Sequence, residues 1–415
     1  MNAVEKLLQT LCPYGVEFRK LGEVGEFQNG RVMSKKNAIP GEVPVIAGGR
    51  QPAYYHNHAN RIGETIAISS SGAYAGYVSY WNIPVFLSDS FSISPKKENL
   101  IPKYLFYWLQ AKQDAIYATK STGGIPHVYS KNLDNLPIPL PPLEVQREIV
   151  KILDTFTELN TELNTELKLR KKQYEYYRNW LLSFSDVDAS KEGAEQRLRD
   201  KSYPKALKAL LLSLCPYGVE FKAIKDIAMF RRGSFPQPYT RSKWYGGDNS
   251  MPFIQVIDVA DTMKLNEKSK QSISKLAQPK SVFVPKGTVI VTLQGTIGKV
   301  AITQYDSYID RTIAIFTSYR INIDKKYFAY MLYQKFAMEK MLARGATLKT
   351  ITKEEFSDFK IPLPPLEVQR EIVKILDTFT ELNTELNTEL KLRKKQYEYY
   401  RDKLLTFTPL IKEGE

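Results

Sequence analysis

Forty-one consecutive residues occur twice in this chain without a change, at 138–178 and at 361–401. A shorter block, LCPYGVEF, also occurs twice, at 11–18 and 214–221. Each short block is separated from the following long block by a segment that has little counterpart, 119 residues long at 19–137 and 139 residues long at 222–360. The chain must therefore fold as two half-molecules, each a variable globular segment followed by a fixed one. Fixed connectors between different globular surfaces indicate a bipartite binding protein rather than an enzyme with one active site.

The long repeat is predicted to be mostly one helix. Pro142 suits the first helical turn, and Glu144 and Glu148 place negative charge where the helix dipole favours it. Apolar residues then recur at helical spacing, and no Pro or Gly interrupts 143–184. The apolar stripe of such a helix needs a partner, and its own copy at 366–407 is the simplest one. We expect an antiparallel coiled pair with a pseudo-twofold relation between the halves, and parallel packing is the alternative.

A finer repeat, TELN-TELN-TELK, lies inside the predicted helix at Thr157–Lys168 and again at Thr380–Lys391. A four-residue period drifts by about 40° per unit around a helix of 3.6 residues per turn, so it does not make a heptad seam. One unit more or less would change the helix length by about 6 Å. The residues alone favour a polar, low-complexity piece of coiled coil, and an adjustable ruler is the second interpretation.

The net positive charge of the chain is carried by the two variable segments. The whole chain carries a net charge of +14. The first variable segment has 13 Lys and Arg against 8 Asp and Glu, the second has 23 against 12, and each long repeat has 7 of each sign. Basic globular segments beside neutral connectors indicate a polyanionic ligand, with nucleic acid the leading candidate.

The two variable segments are predicted to share one α+β fold. Phe27–Gly30 aligns with Phe230–Gly233, and Thr65–Tyr77 aligns with Thr288–Lys299. Alternating apolar residues predict strands, and longer periodic stretches predict helices. The predicted strands are 78–81, 85–92, 300–303 and 312–316, and the predicted helices are 103–117 and 326–343. The 20 additional residues of the second segment have no role that the sequence reveals.

Motifs that carry catalytic chemistry are missing from the sequence. Gly295 to Lys299 resembles the end of a phosphate-binding loop, but the spacing between its glycines is wrong, so we expect a turn between strands. No Cys/His grouping suggests a zinc site, and the NPP[FY] signature of adenine methyltransferases does not occur. We expect neither catalysis, nor a bound metal, nor a cofactor. Two cysteines, no membrane-length apolar run and no signal peptide favour the cytoplasm.

Donor-rich loops supply the candidate DNA contacts. Arg, Lys and Gln read base edges, whereas Lys, Ser and Thr mostly bond phosphates. The candidates in the first segment are Arg31, Lys35, Lys36, Arg50, Ser69, Ser70, Ser71, Lys120, Ser121, Thr122 and His127. The candidates in the second segment are Arg231, Arg232, Arg241, Lys243, Gln294, Thr296, Lys299, Arg344, Thr347 and Lys349.

Taken together, these features resemble the specificity subunit of type I restriction–modification systems. The resemblance covers the whole chain and rests on the alternation of variable and fixed segments, on the helix start IPLPPLEVQREIVKILD at 138–154, and on the TELN repeat. It implies a non-catalytic subunit whose two target recognition domains each read one half of a split double-stranded DNA target. The paired helices would hold the halves apart by a fixed spacer, and TELN copy number would set that spacer.

The resemblance also implies partners and domain limits. The helices would dock two adenine-methylating modification subunits, which restriction subunits would join. S-adenosylmethionine and ATP would belong to those partners. Because 1–18 correspond to 204–221, the N-terminus is expected to pack where the second helix ends. The expected divisions are 1–137 and 204–360 for the recognition domains, 138–184 and 361–415 for the helical spacers with the C-terminus, and 185–203 for a polar linker.

Two other classes of function stay open at this point. A stand-alone DNA methyltransferase or nuclease would require catalytic motifs that the sequence lacks. A basic interaction scaffold that binds RNA or other polyanions would need no such motif. Competition between duplex DNA and RNA would separate that scaffold from a DNA reader.

Overall fold

The computed structural model describes residues 3–96, 98–121, 124–184, 190–200, 202–342 and 351–410. The helices are α1 (Ala3–Leu11), α2 (Leu21–Val24), α3 (Pro102–Ala111), α4 (Gln113–Ala118), α5 (Leu143–Leu182), α6 (Lys191–Asp200), α7 (Lys205–Leu214), α8 (Ile224–Ile227), α9 (Lys325–Leu342), α10 (Lys353–Ser357) and α11 (Leu366–Leu404). None of the described helices is long and apolar enough to cross a bilayer.

The strands divide into two sets of similar order. The first set is β1 (Phe18–Lys20), β2 (Gly25–Asn29), β3 (Val43–Ile46), β4 (Tyr54–His56), β5 (Thr65–Ser69), β6 (Val78–Trp81), β7 (Phe86–Leu87), β8 (Ser90–Pro95) and β9 (Pro137–Pro139). The second set is β10 (Phe221–Ala223), β11 (Ala228–Arg232), β12 (Met251–Ile254), β13 (Gln271–Ile273), β14 (Val282–Val284), β15 (Val289–Thr292), β16 (Val300–Ile302), β17 (Ser307–Ile309), β18 (Ile313–Tyr319) and β19 (Lys360–Pro362). This mixture of helices and sheets confirms the predicted α+β class.

The chain forms two compact units. Unit 1 comprises Met1–Leu167 and Leu386–Glu415, and unit 2 comprises Lys168–Glu385. Each unit therefore contains the beginning of one long helix and the end of the other. By this exchange the identical repeat contributes nearly the same residues to both units.

Unit 1 contains an antiparallel four-stranded sheet of order β2-β8-β5-β6 and a smaller sheet of order β4-β3-β7, in which β3 and β7 are parallel. Helix α3 begins at Pro102, which suits a first helical turn, and buries Tyr104, Leu105 and Trp108 in the core that also holds Phe91 of the sheet. The spacing of these buried residues is helical, so one face of α3 covers the sheet.

The predicted strand 85–92 is wrong, because the chain changes sheets within it. Phe86 and Leu87 pair with β3 of the small sheet, whereas β8 pairs with β2 and β5 of the large one. Ser88 and Asp89 lie at the crossing. The predicted helix 103–117 is likewise divided, into α3 and α4 at Lys112.

Unit 2 repeats this topology with additions. Its large sheet has the order β11-β18-β15-β16, and its small sheet has the order β13-β12-β17-β14. Strand β14 has no counterpart among the strands of the small sheet in unit 1. Sixteen residues separate β12 from β13, against seven between β3 and β4, and fifteen separate β13 from β15, against eight between β4 and β5. Most of the additional length of the second variable segment therefore enlarges its small sheet.

The long helices pack antiparallel inside each unit. In unit 1 the rings of Phe156 and Tyr400 stack with their centroids 5.5 Å apart, and Thr157 bonds Tyr397. Residue numbers thus rise along α5 while they fall along α11. The matched pair in unit 2 is Tyr177 and Phe379, whose rings stack at 5.2 Å. The expected antiparallel packing is confirmed within each unit.

The N-terminal segment packs against the end of α11 in unit 1, as expected from the short repeat. Val16 forms a parallel bridge with Pro409, and Glu5 pairs with Lys403 at 3.4 Å. Val4 is buried in the same core as Leu404. In unit 2, helix α7 packs in the corresponding way with the end of α5.

Candidate nucleic-acid interface

Several loops of unit 1 converge on one end of its large sheet. Asn29 pairs with Phe91, Ser69 pairs with Ser90, and Ile68 pairs with Val78. The last residues of β2 and β5 therefore lie beside the first residues of β6 and β8. We name this edge, with the adjacent loop residues 30–37, 47–53, 70–77, 88–89, 119–121 and 124–129, the loop end of unit 1.

The first basic candidates lie on the loop that follows β2. Arg31, Lys35 and Lys36 are all exposed. The loop leaves the sheet at Gly30, where an added Cβ would lie 2.5 Å from the Ser90 carbonyl oxygen. Glycine permits this close passage of two backbones, and the three cations are presented beyond it.

Arg50 and Lys120 meet at a cluster of tyrosines. The Arg50 guanidinium lies over the Tyr74 ring at 4.8 Å and the Tyr77 ring at 5.6 Å. The Lys120 ammonium lies 4.0 Å from the centroid of Tyr117. Burial raises the pKa of Tyr117, and Arg50, which bonds its hydroxyl, opposes that rise. Cation–π contacts of this kind hold positive charge at a defined place on the surface.

The hydroxyls of two serine candidates form hydrogen bonds with neighbouring loops. Ser69 is buried, and its hydroxyl donates to the Ala47 carbonyl at 3.1 Å. The Ser71 hydroxyl donates to the Asp89 carboxylate. These bonds fasten the loops to one another, so the hydroxyls of Ser69 and Ser71 are engaged inside the loop end.

The remaining candidates of unit 1 lie on the loop 119–129 or beside it. Ser70 is half-buried, and its carbonyl accepts the Val128 amide at 2.9 Å. The Ser121 hydroxyl accepts the His127 amide at 2.9 Å, and the His127 ring stacks on Tyr129 at 5.9 Å. Thr122 lies outside the described residues. These contacts hold the loop against the end of β5.

Unit 2 has an equivalent loop end. Thr292 pairs with Ile313, and the turn 293–299 joins β15 to β16 there. Arg231 is exposed on β11, whereas the Arg232 guanidinium donates to the Ile351 carbonyl at 3.3 Å. Lys299 is also anchored, because its Nζ bonds the Val259 carbonyl at 3.0 Å and pairs with Asp261 at 3.3 Å.

Other candidates of unit 2 are more accessible. Arg241 and Lys243 are exposed, and the Lys243 ammonium lies 4.6 Å from the Trp244 ring centroid. Thr296 is exposed on the β15–β16 turn, and Gln294 is half-buried beside it. Arg344, Thr347 and Lys349 lie outside the described residues.

Arg311 is a candidate contact of unit 2 that the sequence alone did not indicate. Ser69 pairs with Ser90 and the equivalent Thr292 pairs with Ile313, so Asp89 in unit 1 corresponds to Thr312 in unit 2. Two residues lie between β7 and β8, against three between β17 and β18, so Arg311 is an additional residue at this crossing. Arg311 is exposed and lies 5.4 Å from the Tyr239 ring, whose hydroxyl donates to Asp310 at 2.6 Å. An alignment of YIDRTIAIF with FLSDSFSI that allows one gap would have shown this additional arginine.

Arg61 shows that a cation in a variable segment can be purely structural. Its guanidinium donates to Ser92 Oγ at 2.8 Å and to the carbonyls of Gln28 and Asn29, each at 3.0 Å. Burial lowers the pKa of Arg61. It ties β2 to β8. Among the residues that the structure describes, no group of three or more His, Cys, Asp or Glu is placed to hold a metal ion.

Comparisons with known proteins agree with this architecture. A putative type I restriction enzyme specificity subunit of Haemophilus influenzae is 28% identical, with 98% of each chain aligned. A type I restriction enzyme specificity subunit of Escherichia coli is 26% identical over 98% of this chain and 97% of its own. The solved S subunit of a type I restriction–modification system from M. genitalium has the same fold, with a TM-score of 0.60, 16% identity, and coverage of 94% of this chain and 96% of that one.

The family model for the type I restriction modification DNA specificity domain matches residues 13–170 and 216–393. These two regions include most of both variable segments and most of both long helices. The chain belongs to the type I restriction–modification DNA specificity family.

Proposed function

We propose that this chain is the non-catalytic, sequence-reading subunit of a type I restriction–modification complex, and that each unit reads one half of a bipartite target in double-stranded DNA. The recognition domains would be 1–137 and 204–360, and the helical spacers would be 138–184 and 361–415, with 185–203 as a linker. Base contacts would come from the accessible candidates at the two loop ends, with the anchored ones holding the loops in place.

One observation carries this proposal: the two units keep the same scaffold and differ where the loops end. Tyr104 donates to the Pro139 carbonyl at 3.1 Å, and Tyr327 donates to the Pro362 carbonyl at 3.0 Å. At the loop ends, by contrast, the crossing between the two sheets has two residues in unit 1, Ser88 and Asp89, and three in unit 2, which include the exposed Arg311. A scaffold that is conserved while the side chains that it presents differ is what two different half-sites require.

The TELN units are suited to a ruler of adjustable length because the threonine of each unit makes its hydrogen bond within the helix. The hydroxyls of Thr157, Thr161 and Thr165 donate to the carbonyls four residues earlier, at 2.8, 2.8 and 2.9 Å. A unit that brings its own hydrogen bond can be added or removed without leaving a partner behind. We propose that copy number sets the number of base pairs between the half-sites.

The two copies of the repeated helix expose the same apolar residues, which supports the docking of two identical subunits. Leu169 is 61% exposed and Tyr176 is 64% exposed, and their counterparts Leu392 and Tyr399 are 62% and 63% exposed. Seven residues separate the members of each pair, which places them on one helix face. We propose that these two surfaces bind two modification subunits, which would supply S-adenosylmethionine chemistry, and that restriction subunits would join that core.

Exchanging one variable segment tests the proposal. Residues 19–137 are replaced by the corresponding segment of a relative, the chain is expressed with its modification subunit, and methylated adenines are mapped across the host genome. One half of the target should change while the other half stays as it was. The reciprocal exchange of 222–360 is the matched control and should change the opposite half. Methylation without sequence preference would contradict DNA reading, as would stronger competition by RNA than by duplex DNA.

A second experiment addresses the ruler. Removing one TELN unit from both long helices should alter the spacer and leave both half-sites intact. An unchanged spacer in the methylation map would remove the ruler from the proposal without affecting the reading of half-sites.

A further inference from the structure

A basic groove lies in unit 1 beside the loop end. It has a volume of about 520 Å³ and is open to solvent. One wall carries Arg50, and the other carries Lys394 and Arg401 of α11. Every lining residue belongs to unit 1 and to the described part of the chain. The groove thus connects the loop end with the end portion of the repeated helix.

The lining carries the three cations and no acidic side chain. Its glutamines bond neighbouring groups, since Gln113 Nε2 donates to the Gly76 carbonyl at 2.6 Å and Gln110 Oε1 accepts the Tyr397 hydroxyl at 3.2 Å. Asp154 is near the groove but is not part of its lining. Its carboxylate forms a salt bridge with Lys103 at 2.6 Å and accepts a hydrogen bond from the Tyr107 hydroxyl at 2.5 Å. A surface of this composition is complementary to an extended anion.

The charge is not cancelled inside the groove. Arg401 pairs with the adjacent Asp402 at 2.7 Å, so its charge is partly compensated. Lys394 is exposed, and the contacts of Arg50 described above are with neutral tyrosines, the rings of Tyr74 and Tyr77 and the hydroxyl of Tyr117. Lys394 and Arg50 therefore supply the uncompensated positive charge, one from each wall.

The same repeat residues have different surroundings in unit 2. Arg178, the counterpart of Arg401, lies over the Tyr333 ring at 4.7 Å. Tyr333 occupies the position of Gln110, and Phe336 occupies that of Gln113. Aromatic rings thus replace the two amides, so the polar lining is a property of unit 1. The 41 identical residues do not by themselves create it.

We infer that this groove binds the sugar–phosphate backbone of the target duplex next to the half-site that unit 1 reads. The inference rests on the proposed function, because it needs a duplex seated at the loop end. The groove adds affinity and fixes register, and it carries no base specificity, since phosphates are the same at every step. Arg50 links the two surfaces, because it lies both at the loop end and on the groove wall.

Lys394→Gln tests the inference, and Lys171→Gln, at the same position of the other copy, is the matched control. Both are exposed helix residues, so folding should be retained. Each full-length variant is assembled with its modification subunit. Binding is measured between 50 and 200 mM salt, to a duplex that carries the mapped target and to a scrambled duplex. Loss of one phosphate contact should lower the salt slope by about 1. Because the salt concentration rises fourfold over that range, the fall in affinity should become about 4-fold smaller.

The expected result is a reduced slope for Lys394→Gln, an unreduced slope for Lys171→Gln, and an unchanged methylation map for both. Equal slopes in the two variants would overturn the inference. So would weakened assembly with the modification subunit together with an unaltered DNA slope, which would assign the groove to an acidic protein segment. If the unaltered complex prefers neither duplex, the proposed function itself fails, whatever the slopes are.

Discussion

Replacing Gln146 with leucine should release the start of α5 from the globular part of unit 1. The Gln146 side chain is fully buried. Its Oε1 accepts the Ile101 amide at 2.9 Å, and its Nε2 donates to the carbonyls of Asn99 and Pro141, each at 2.8 Å. Leucine has a similar size and no polar atom, so all three hydrogen bonds are lost. This glutamine belongs to the long repeat and joins the helix start to the turn that precedes α3.

The number of lost bonds sets the expected magnitude. At about 1 kcal/mol each, three bonds correspond to a loss of about 3 kcal/mol in the free energy of unfolding. Since about 1.4 kcal/mol is tenfold in an equilibrium constant, local opening should become about 100-fold more frequent. Gln369 is the matched residue in unit 2, where its side chain bonds the Asp324 amide at 2.9 Å and the Pro364 carbonyl at 2.7 Å. Gln369→Leu should therefore cost about 2 kcal/mol.

Hydrogen exchange followed by mass spectrometry measures this locally, which suits a chain of two units. In Gln146→Leu, peptides that cover 98–105 and 141–150 should lose about 100-fold in protection, while peptides of unit 2 keep theirs. Arg147→Gln, at the exposed neighbouring position, is the control and should change neither. The reasoning is refuted if the 98–105 peptides keep their protection in Gln146→Leu, or if Arg147→Gln lowers it equally.

Three further predictions test other parts of the structure. Arg311→Gln should weaken one base-pair preference in one half-site by about 1–3 kcal/mol, and a methylation map that changes in both half-sites would contradict it. A maleimide at pH 8 should label Cys12 before Cys215, which is 5% exposed and has a thiol pKa raised by burial to about 11, and equal labelling rates in intact-mass spectra would refute this. Gly30→Ala should destabilise unit 1 in a urea titration because its Cβ would clash with carbonyl oxygens at 2.5–2.7 Å, whereas Gly49→Ala, with its nearest atom at 3.5 Å, should be tolerated.

The repeated parts of the fold were predictable because their constraints are local. Helical periodicity and the absence of Pro and Gly predicted 143–184 as a helix, and α5 spans Leu143–Leu182. The second copy ends at Leu404, three residues before the predicted end. An apolar stripe of that length needs a partner, and an identical copy in the same chain supplied one. The antiparallel direction followed from the same argument.

The strands were harder to predict because pairing is non-local. The apolar alternation of 85–92 is continuous in sequence, yet the chain passes from one sheet to another at Ser88 and Asp89. Nothing in the local pattern encodes that change, since it depends on where β3 and β5 lie. The additional strand β14 was missed for the same reason.

Candidate DNA contacts divide according to what else each side chain can bond. Arg31 and Lys35 are exposed, as a surface role requires. Ser69 and Lys299 have the same donor chemistry, but carbonyl oxygens of neighbouring loops accept their hydrogen bonds. Residue type alone therefore predicts that a loop is rich in donors, and it does not predict which donors face outward. That choice is made by the neighbouring backbone, which a single sequence does not display.

Identical residues in the two copies of the repeat also have different neighbours. Arg178 and Arg401 stand in identical sequences, yet Asn179 follows the first and Asp402 follows the second. Arg178 lies over the ring of Tyr333, whereas Arg401 pairs with Asp402 on the wall of a groove. Identity of 41 residues thus conserves the helix and its anchoring bonds, while the variable segment packed against each copy decides what the exposed face does. A symmetric connector can in this way serve two unlike variable segments, because the asymmetry is supplied by the residues that surround it.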